Sequence, residues 1–97
     1  MILTSKEEKI IAEILSVYKN DYSFYMYGSR VKGNFEKTSD LDILIKGNEA
    51  MPVLKLADIR EKMDNSDLPY IVNFSDYHNI DKHFYKLIEK DLVLIRL

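Results

Sequence analysis

Two acidic side chains near the middle of the chain have the type and spacing to bind a divalent cation. Asp40 and Asp42 flank the first residue of the apolar run 41–45, which predicts a strand. Because side chains alternate along a strand, both carboxylates would point to one face, about 6.5 Å apart along the chain. A cation relieves their mutual repulsion, and two Mg²⁺ ions about 3.5–4 Å apart fit such a pair. On its own, Asp-x-Asp is also typical of a strand end with two solvated acids.

The loop before this strand has the residue types of a phosphate-binding turn. Gly28 and Ser29 follow the aromatic run 23–27, which predicts another strand. Glycine permits close backbone approach, and free N–H groups at a helix start, together with a serine hydroxyl, can donate to phosphate oxygens. Arg30 and Lys32 would add positive charge nearby. Taken alone, these residues are better explained as a tight turn between a strand and a helix, with the serine as the helix cap.

Periodicity and capping signals predict the elements that position these loops. Helices are expected to begin at Ser5, with Glu8 completing a capping box, at Pro52 and at Asp81. One further helical turn is expected after Ser29. The predicted inward residues of the last two long helices are Val53, Leu56, Ala57, Met63, Phe84, Leu87 and Ile88. The four predicted strands are residues 23–27, 41–45, 70–74 and 92–95.

The composition is that of a small folded domain with balanced charge. The 97 residues carry 14 basic and 16 acidic side chains, and the net charge of −2 argues against nonspecific nucleic-acid binding. Without a membrane-length apolar run or a signal-peptide layout, we predict one cytoplasmic domain over residues 1–97. The absence of cysteine excludes disulfides and thiolate zinc sites. So short a chain leaves little room for two substrates, and we expect a partner chain to complete the site.

The spacing of the candidate site residues resembles that of the polymerase-beta-like nucleotidyltransferase superfamily. Gly28-Ser29 is followed by ten residues and then by Asp40-Leu41-Asp42. More narrowly, the chain resembles the minimal nucleotidyltransferase domains of HEPN/MNT toxin–antitoxin systems over roughly residues 6–97. The resemblance implies a single small domain of the α/β (α+β) class, with a mixed four-stranded sheet flanked by helices.

The resemblance also implies an activity and a partner. Members of this superfamily transfer a nucleoside monophosphate from a nucleoside triphosphate to an acceptor. Gly28 and Ser29 would hold the triphosphate of ATP, and Asp40 and Asp42 would bind two Mg²⁺ ions. The minimal group pairs with HEPN-domain proteins, and characterised members neutralise a HEPN ribonuclease toxin by adenylylating a tyrosine. We therefore expect a hetero-oligomer with a HEPN toxin, no membrane association and no direct nucleic-acid binding.

One position departs from the family pattern. Active members have a third carboxylate on the strand after the second long helix, and the segment 68–74 places Asn73 there. An amide cannot accept a proton near neutral pH, and loss of a positioned base costs ~10²–10⁴-fold, or roughly 3–5 kcal/mol of barrier. We therefore expect ATP–Mg²⁺ binding to survive better than transfer. Asp76 would point to the opposite face of a regular strand, and only a bulge would bring it to the site.

Several remaining side chains are better explained by structure. Tyr25 and Tyr27 alternate with apolar residues, which favours packing on both faces of a strand over base stacking. His78 and His83 are five residues apart, and surface positions are a better explanation than a shared metal. A lysine stripe on the last helix is expected to face solvent: Lys82, Lys86 and Lys90.

Three functions remain compatible with the motif. The chain can be an enzyme that adenylylates a partner protein, with Asp40, Asp42 and Asn73 at the catalytic position. It can be an antitoxin that binds and occludes its partner without transfer, which Asn73 favours. It can also be the nucleotidyltransferase subunit of a two-chain enzyme that modifies a small molecule.

Overall fold

The computed structural model describes residues 2–97, in which helices and strands alternate along the chain. The predicted domain of residues 1–97 begins at Met1, which lies outside the described residues. The helices are α1 (Ser5–Leu15), α2 (Ser29–Lys32), α3 (Val53–Asp64) and α4 (Lys82–Glu89), with a short 3₁₀ turn at Ser16–Tyr18. The strands are β1 (Tyr22–Tyr27), β2 (Leu41–Gly47), β3 (Val72–Asp76) and β4 (Val93–Leu94).

The four strands form one mixed sheet in the order β3-β2-β1-β4. β1 pairs antiparallel with both β2 and β4, whereas β2 and β3 run parallel and are joined through α3. This arrangement confirms the predicted mixed four-stranded sheet flanked by helices. Its two central strands, β1 and β2, are the ones that lead into and out of the loop between Gly28 and Asp40.

The sheet separates two apolar clusters, one on each face. The larger cluster packs α1 and α3 against side chains that point to one face, including Phe24, Ile43 and Phe74. The smaller cluster packs α4 against the other face and centres on Tyr27, Leu44 and Ile88. Because both faces are covered, β2 has a nearly continuous apolar sequence. Asp42 is its polar exception, and it lies on the α4 face.

The first helix begins at Ser5, as predicted, but its capping box lies one residue earlier than expected. Thr4, and not Ser5, is the N-cap, and its hydroxyl accepts a hydrogen bond from the Glu7 N–H at 3.1 Å. The Glu7 carboxylate in turn accepts one from the Thr4 N–H at 3.2 Å. The pairs Thr4/Glu7 and Ser5/Glu8 both fit the capping-box pattern. Glu7 also accepts a hydrogen bond from Tyr70, which favours the Thr4 cap. The Asp81 cap of α4 is confirmed, and Pro52 is the N-cap of α3.

Four predictions of inward-facing residues are wrong, because these side chains are exposed: Val53, Ala57, Phe84 and Leu87. Val53 is 80% exposed at the first turn of α3, where the helix has not yet reached the sheet, and Ile59 is buried instead. Leu87 is 70% exposed because α4 buries only its Ile88 side against the sheet. Strand β3 begins at Val72 and not at residue 70, since its parallel register with β2 pairs Leu41 with Val72.

None of the helices within residues 2–97 combines the length and apolar composition needed to cross a lipid bilayer.

Candidate functional site

Three side chains form a row across the sheet on the face that carries α4. Tyr27 at the end of β1 lies opposite Asp42 of β2, and Asp42 lies opposite Asn73 of β3. Their sequence neighbours Met26, Ile43 and Phe74 belong to the larger cluster, so this row points away from it. Strand register therefore brings together residues that are up to 46 positions apart in the sequence.

The two aspartates converge on Asn73. The amide nitrogen of Asn73 donates to Asp40 Oδ2 at 3.1 Å and to Asp42 Oδ1 at 3.2 Å. Carboxylates only accept hydrogen bonds, so the NH₂ end of the amide faces them and partly offsets their negative charge. The prediction that Asp40 and Asp42 share one face is confirmed, and Asn73 occupies the third place of the same cluster.

The backbone of Gly28 lies close to the Asp42 side chain of this cluster. Its φ of +85° lies in the region that disfavours residues with a Cβ, and a Cβ placed there would overlap Asp42 Oδ2. The close approach brings the backbone of the loop after β1 into contact with the acidic pair. No other residue type fits this position without moving Asp42.

Short helix α2 starts directly after Gly28 and presents two of the predicted nucleotide-binding residues. Ser29 and Lys32 are both exposed. The first intrahelical bond runs from the Lys32 N–H to the Gly28 carbonyl at 3.2 Å, so the preceding N–H groups of α2 have no partner within the helix. Gly28 therefore lies next to Asp42, and Ser29 follows it at the exposed start of α2.

Arg30 points in the opposite direction to Ser29 and has a structural role. Its side chain is 3% exposed and lies between the rings of Phe35 and Tyr70, with the guanidinium carbon 4.4 and 4.3 Å from their centroids. Its Nη atoms donate to the carbonyls of Ile2, Glu36 and Ser39 at 2.9–3.2 Å. This placement turns Arg30 away from the predicted nucleotide-binding residues, because its side chain is buried and both Nη atoms already donate to backbone carbonyls.

The contacts of Arg30 fix the loop that ends at Asp40. Arg30 binds the carbonyl of Ser39, the residue immediately before Asp40, and Ser39 Oγ accepts a hydrogen bond from the Glu36 N–H at 2.8 Å. Arg30 also lies 3.9 Å from Glu7, which joins it to the start of α1. The position of Asp40, which precedes β2, therefore depends on the buried guanidinium group of Arg30 in α2.

Asp76 does not reach the acidic pair. Strand β3 pairs residue by residue with β2 from Leu41–Val72 to Ile45–Asp76, without a bulge, so Asp76 points to the face opposite Asn73. Its buried carboxylate accepts hydrogen bonds from the N–H groups of Met51 at 2.8 Å and His78 at 2.9 Å. Asp76 therefore holds the loop before α3 and cannot take the place of a third carboxylate.

Tyr27 lies next to Asp42 in this row, although its sequence pattern indicated only a packed strand residue. Its hydroxyl shares a hydrogen bond of 3.0 Å with Ser75 Oγ, across the sheet. Burial raises the pKa of Tyr27 above its usual value; the Ser75 hydrogen bond lowers it in part, and the Asp42 charge raises it further. The hydroxyl therefore stays protonated. Its position directly before Gly28 was the signal available in the sequence.

The histidines lie apart from this cluster. His78 Nε2 is 2.7 Å from the carbonyl of Gly47, at the far end of β2, and His83 lies in the first turn of α4. Among residues 2–97, no three His, Cys, Asp or Glu side chains come together as a metal site. The three lysines of the last helix are exposed, as predicted: Lys82, Lys86 and Lys90.

The family described as "Nucleotidyltransferase domain" matches residues 7–97, and with them the loop after β1 and the acidic pair. The chain belongs to this family. It is 35% identical over 94 residues to "Probable protein adenylyltransferase MntA" of Haemophilus influenzae, an alignment that covers 97% of this chain and 82% of that protein.

Two solved structures share the fold of this nucleotidyltransferase domain. One is a toxin–antitoxin crystal structure with AMP-PNP, with a TM-score of 0.74 and 18% identity. The other is a mutant of the toxin–antitoxin MntA-HpeT, with a TM-score of 0.73 and 16% identity. Each similarity covers 92% of this chain and 72% of that chain. At these identities the similarity establishes the fold.

The side chains of this nucleotidyltransferase site fit one divalent cation better than two. Asp40 and Asp42 supply carboxylate oxygens, and Asn73 supplies a carbonyl oxygen if its amide turns over. These are the hard oxygen donors that Mg²⁺ prefers, and Gly28 keeps the approach to them open. A second cation would lack the charge of a third carboxylate, because Asn73 is neutral and Asp76 lies on the other face.

Proposed function

We propose that this chain is an antitoxin-type nucleotidyltransferase that binds ATP with Mg²⁺ and transfers AMP to a tyrosine of a HEPN-domain toxin. The proposal rests on one observation, the convergence of Asp40, Asp42 and Asn73 beside Gly28. In this proposal the acidic pair binds the cation, and the adjacent turn, whose N–H groups have no partner within α2, contacts the phosphates. Such an arrangement suits a triphosphate, whose charge needs both a metal and hydrogen-bond donors.

The choice of acceptor follows from the relatives of the chain and from its size. The Haemophilus influenzae relative is named a probable protein adenylyltransferase, and the two structural neighbours are toxin–antitoxin structures. A protein acceptor is also compatible with the small size of the described fold, in which two apolar clusters lie on either side of one sheet. The acceptor would therefore be presented by the partner chain.

The proposed reaction forms a bond between a tyrosine oxygen and the α-phosphorus of ATP and breaks the bond to the β-phosphate oxygen. Pyrophosphate leaves, and the phenolic proton must pass to a base. A bound Mg²⁺ would offset the charge of the phosphates. Asp40 and Asp42 would hold that cation, while Gly28 and Ser29 would orient the phosphates.

Asn73 limits this reaction at the proton transfer. A carboxylate at this place would accept the tyrosine proton, whereas the amide cannot. Its NH₂ group instead binds both aspartates and competes with a cation for the same oxygens. We therefore propose that nucleotide binding is retained and that transfer is slow.

The test is the mass of the co-purified partner with and without ATP and Mg²⁺. A gain of one AMP on a tyrosine, lost when both Asp40→Asn and Asp42→Asn are introduced, is the expected result. Transfer to an aminoglycoside-like small molecule in place of the partner would overturn the proposal in favour of a small-molecule enzyme. A chain that binds neither ATP nor Mg²⁺ would also overturn it.

A second function, neutralisation by occlusion, is favoured by Asn73. In that case the chain protects cells by covering the toxin, and chemistry is unnecessary. The Asp40→Asn, Asp42→Asn double variant separates the two functions. Retained protection from the toxin without any AMP on the partner supports occlusion, whereas loss of protection supports adenylylation.

A further inference from the structure

One aromatic ring on α4 is partly exposed to solvent near the row formed by Tyr27, Asp42 and Asn73. Phe84, in the first turn of α4, is 38% exposed, although Tyr85 and Ile88 of the same helix pack into the smaller cluster. Its ring centroid lies 5.9 Å from that of Tyr27, and the two planes meet at 78°. An edge-to-face pair fixes the orientation of Phe84 and leaves part of the ring in contact with solvent.

The position of Tyr27 places Phe84 next to the acidic pair. The Tyr27 backbone lies opposite Asp42, and its hydroxyl reaches Ser75 on β3, two residues beyond Asn73 on the same face. The Tyr27 ring therefore extends over β2 from the level of Asp42 toward Leu44 and Ser75. Phe84 stands on that ring, so it borders the row formed by Tyr27, Asp42 and Asn73.

We propose that Phe84 is the stacking surface for the nucleobase of the bound nucleotide. This inference rests on the proposed function, which places the phosphates at Gly28 and the acidic pair. A base attached to those phosphates would lie on the α4 face of the sheet, where Phe84 is a partly exposed aromatic side chain. Phenyl rings stack on the faces of all bases and read none of their edges, so purine triphosphates of either kind would bind.

The experiment compares two ligands that differ in the presence of a nucleoside. Isothermal titration of the full chain in Mg²⁺ would measure binding of ATP and of inorganic tripolyphosphate. Phe84→Ala should weaken ATP binding roughly 5- to 100-fold, the range expected for loss of base–aromatic stacking. Binding of tripolyphosphate should stay within about twofold, because it has no base to stack.

Two further variants distinguish stacking from packing. Phe84→Leu keeps an apolar contact with Tyr27 but removes the aromatic face, and it should also weaken ATP alone. Leu87→Ala, one turn along α4 and 70% exposed, is the matched control and should change neither ligand. The Leu variant decides the question if the Ala variant does not fold.

The outcomes separate this inference from the function on which it rests. If the wild-type chain binds tripolyphosphate but ATP no more tightly, or if Phe84→Leu binds ATP as the wild type does, the stacking role is overturned while the phosphate site stands. Equal weakening of both ligands by Phe84→Leu would also overturn it, because Phe84 would then act only through the fold. Failure of the wild type to bind either ligand removes the proposed function as well.

Discussion

At the scale of single residues, Asn73 is the side chain that defines this site. It lies where a third carboxylate would complete the cluster, and it binds both existing carboxylates through one NH₂ group. In this arrangement the amide stabilises the cluster without a cation, since it replaces a like-charge contact with two hydrogen bonds. The same exchange removes the base that the proposed transfer needs.

Replacing Asn73 with aspartate should increase AMP transfer to the partner by about 10²–10⁴-fold, the usual contribution of a positioned general base. The variant should also melt at a lower temperature without Mg²⁺, because three carboxylates would then repel one another, and Mg²⁺ should raise its melting temperature more than that of the wild type. Labelled ATP and a thermal melt measure the two effects. Asn73→Ala is the control, since it removes the amide without adding a base. An Asp variant that transfers no faster than Asn73→Ala would refute this role.

Gly28 provides a second prediction at this scale. Gly28→Ala should abolish ATP binding, because the new Cβ overlaps Asp42 Oδ2 and the φ of +85° is strained. Gly33→Ala is the matched control, since Gly33 has a similar φ of +82° but no neighbouring atom within 4 Å of where its Cβ would lie. It should lose some stability and keep ATP binding. Titration with ATP–Mg²⁺ measures both, and equal losses would contradict a specific role for Gly28.

At the scale of elements, the buried and exposed sides of α2 have different roles. Its buried side carries Arg30, which ties the loop before Asp40 to α1. Its exposed side carries Ser29 and Lys32. One four-residue helix thus both helps to position Asp40 and exposes two side chains of the proposed phosphate site.

Arg30→Ala should destabilise the protein by about 3 kcal/mol, because three backbone carbonyls and Glu7 lose a buried partner. The midpoint of urea denaturation measures this loss. Lys32→Ala on the same helix is the control: its midpoint should not change, while its affinity for ATP–Mg²⁺ should fall. A stable Arg30→Ala variant with weakened ATP binding would show that Arg30 contacts the nucleotide after all.

At the scale of the whole molecule, the two faces of the sheet differ: one packs the larger apolar cluster, and the other carries the candidate site. One face packs α1 and α3 in the larger cluster, and the other carries the row of Tyr27, Asp42 and Asn73 beside α4.

Each face contains a buried tyrosine, Tyr70 on one and Tyr27 on the other, whose ionisation makes the stability of the fold depend on pH. Burial raises the pKa of each above its usual value near 10, and the charge of Glu7 adds to the effect at Tyr70.

These shifts predict a loss of stability at alkaline pH. In the unfolded chain both hydroxyls ionise near pH 10, whereas in the folded protein they stay neutral to higher pH. Their contribution is therefore complete below pH 10 and declines as pH rises toward the raised folded pKa values. Urea denaturation between pH 9 and pH 11.5, at about half-unit steps, should show this decline. It should be shallower in Tyr70→Phe, and an unchanged slope in that variant would contradict the assignment.

Much of the architecture could be predicted because local rules agree with it. A short aromatic run located β1, a short apolar run located β2, and Asp81 marked the start of α4. The errors came from tertiary contacts. The bond from Tyr70 to Glu7 selected the Thr4 cap, and the packing of α4 left Leu87 in solvent.

By itself, the sequence determined the chemistry that is present: a glycine–serine turn, two aspartates on one strand face, and an amide where a third acid is expected. Residue types and their spacing along one strand fix these features, because alternation is a local property of the backbone. Only the tertiary structure decided which groups meet. Strand register aligned Tyr27, Asp42 and Asn73, and packing turned Arg30 inward and set Phe84 beside the row. Register and packing depend on contacts between residues distant in sequence, which no local pattern encodes.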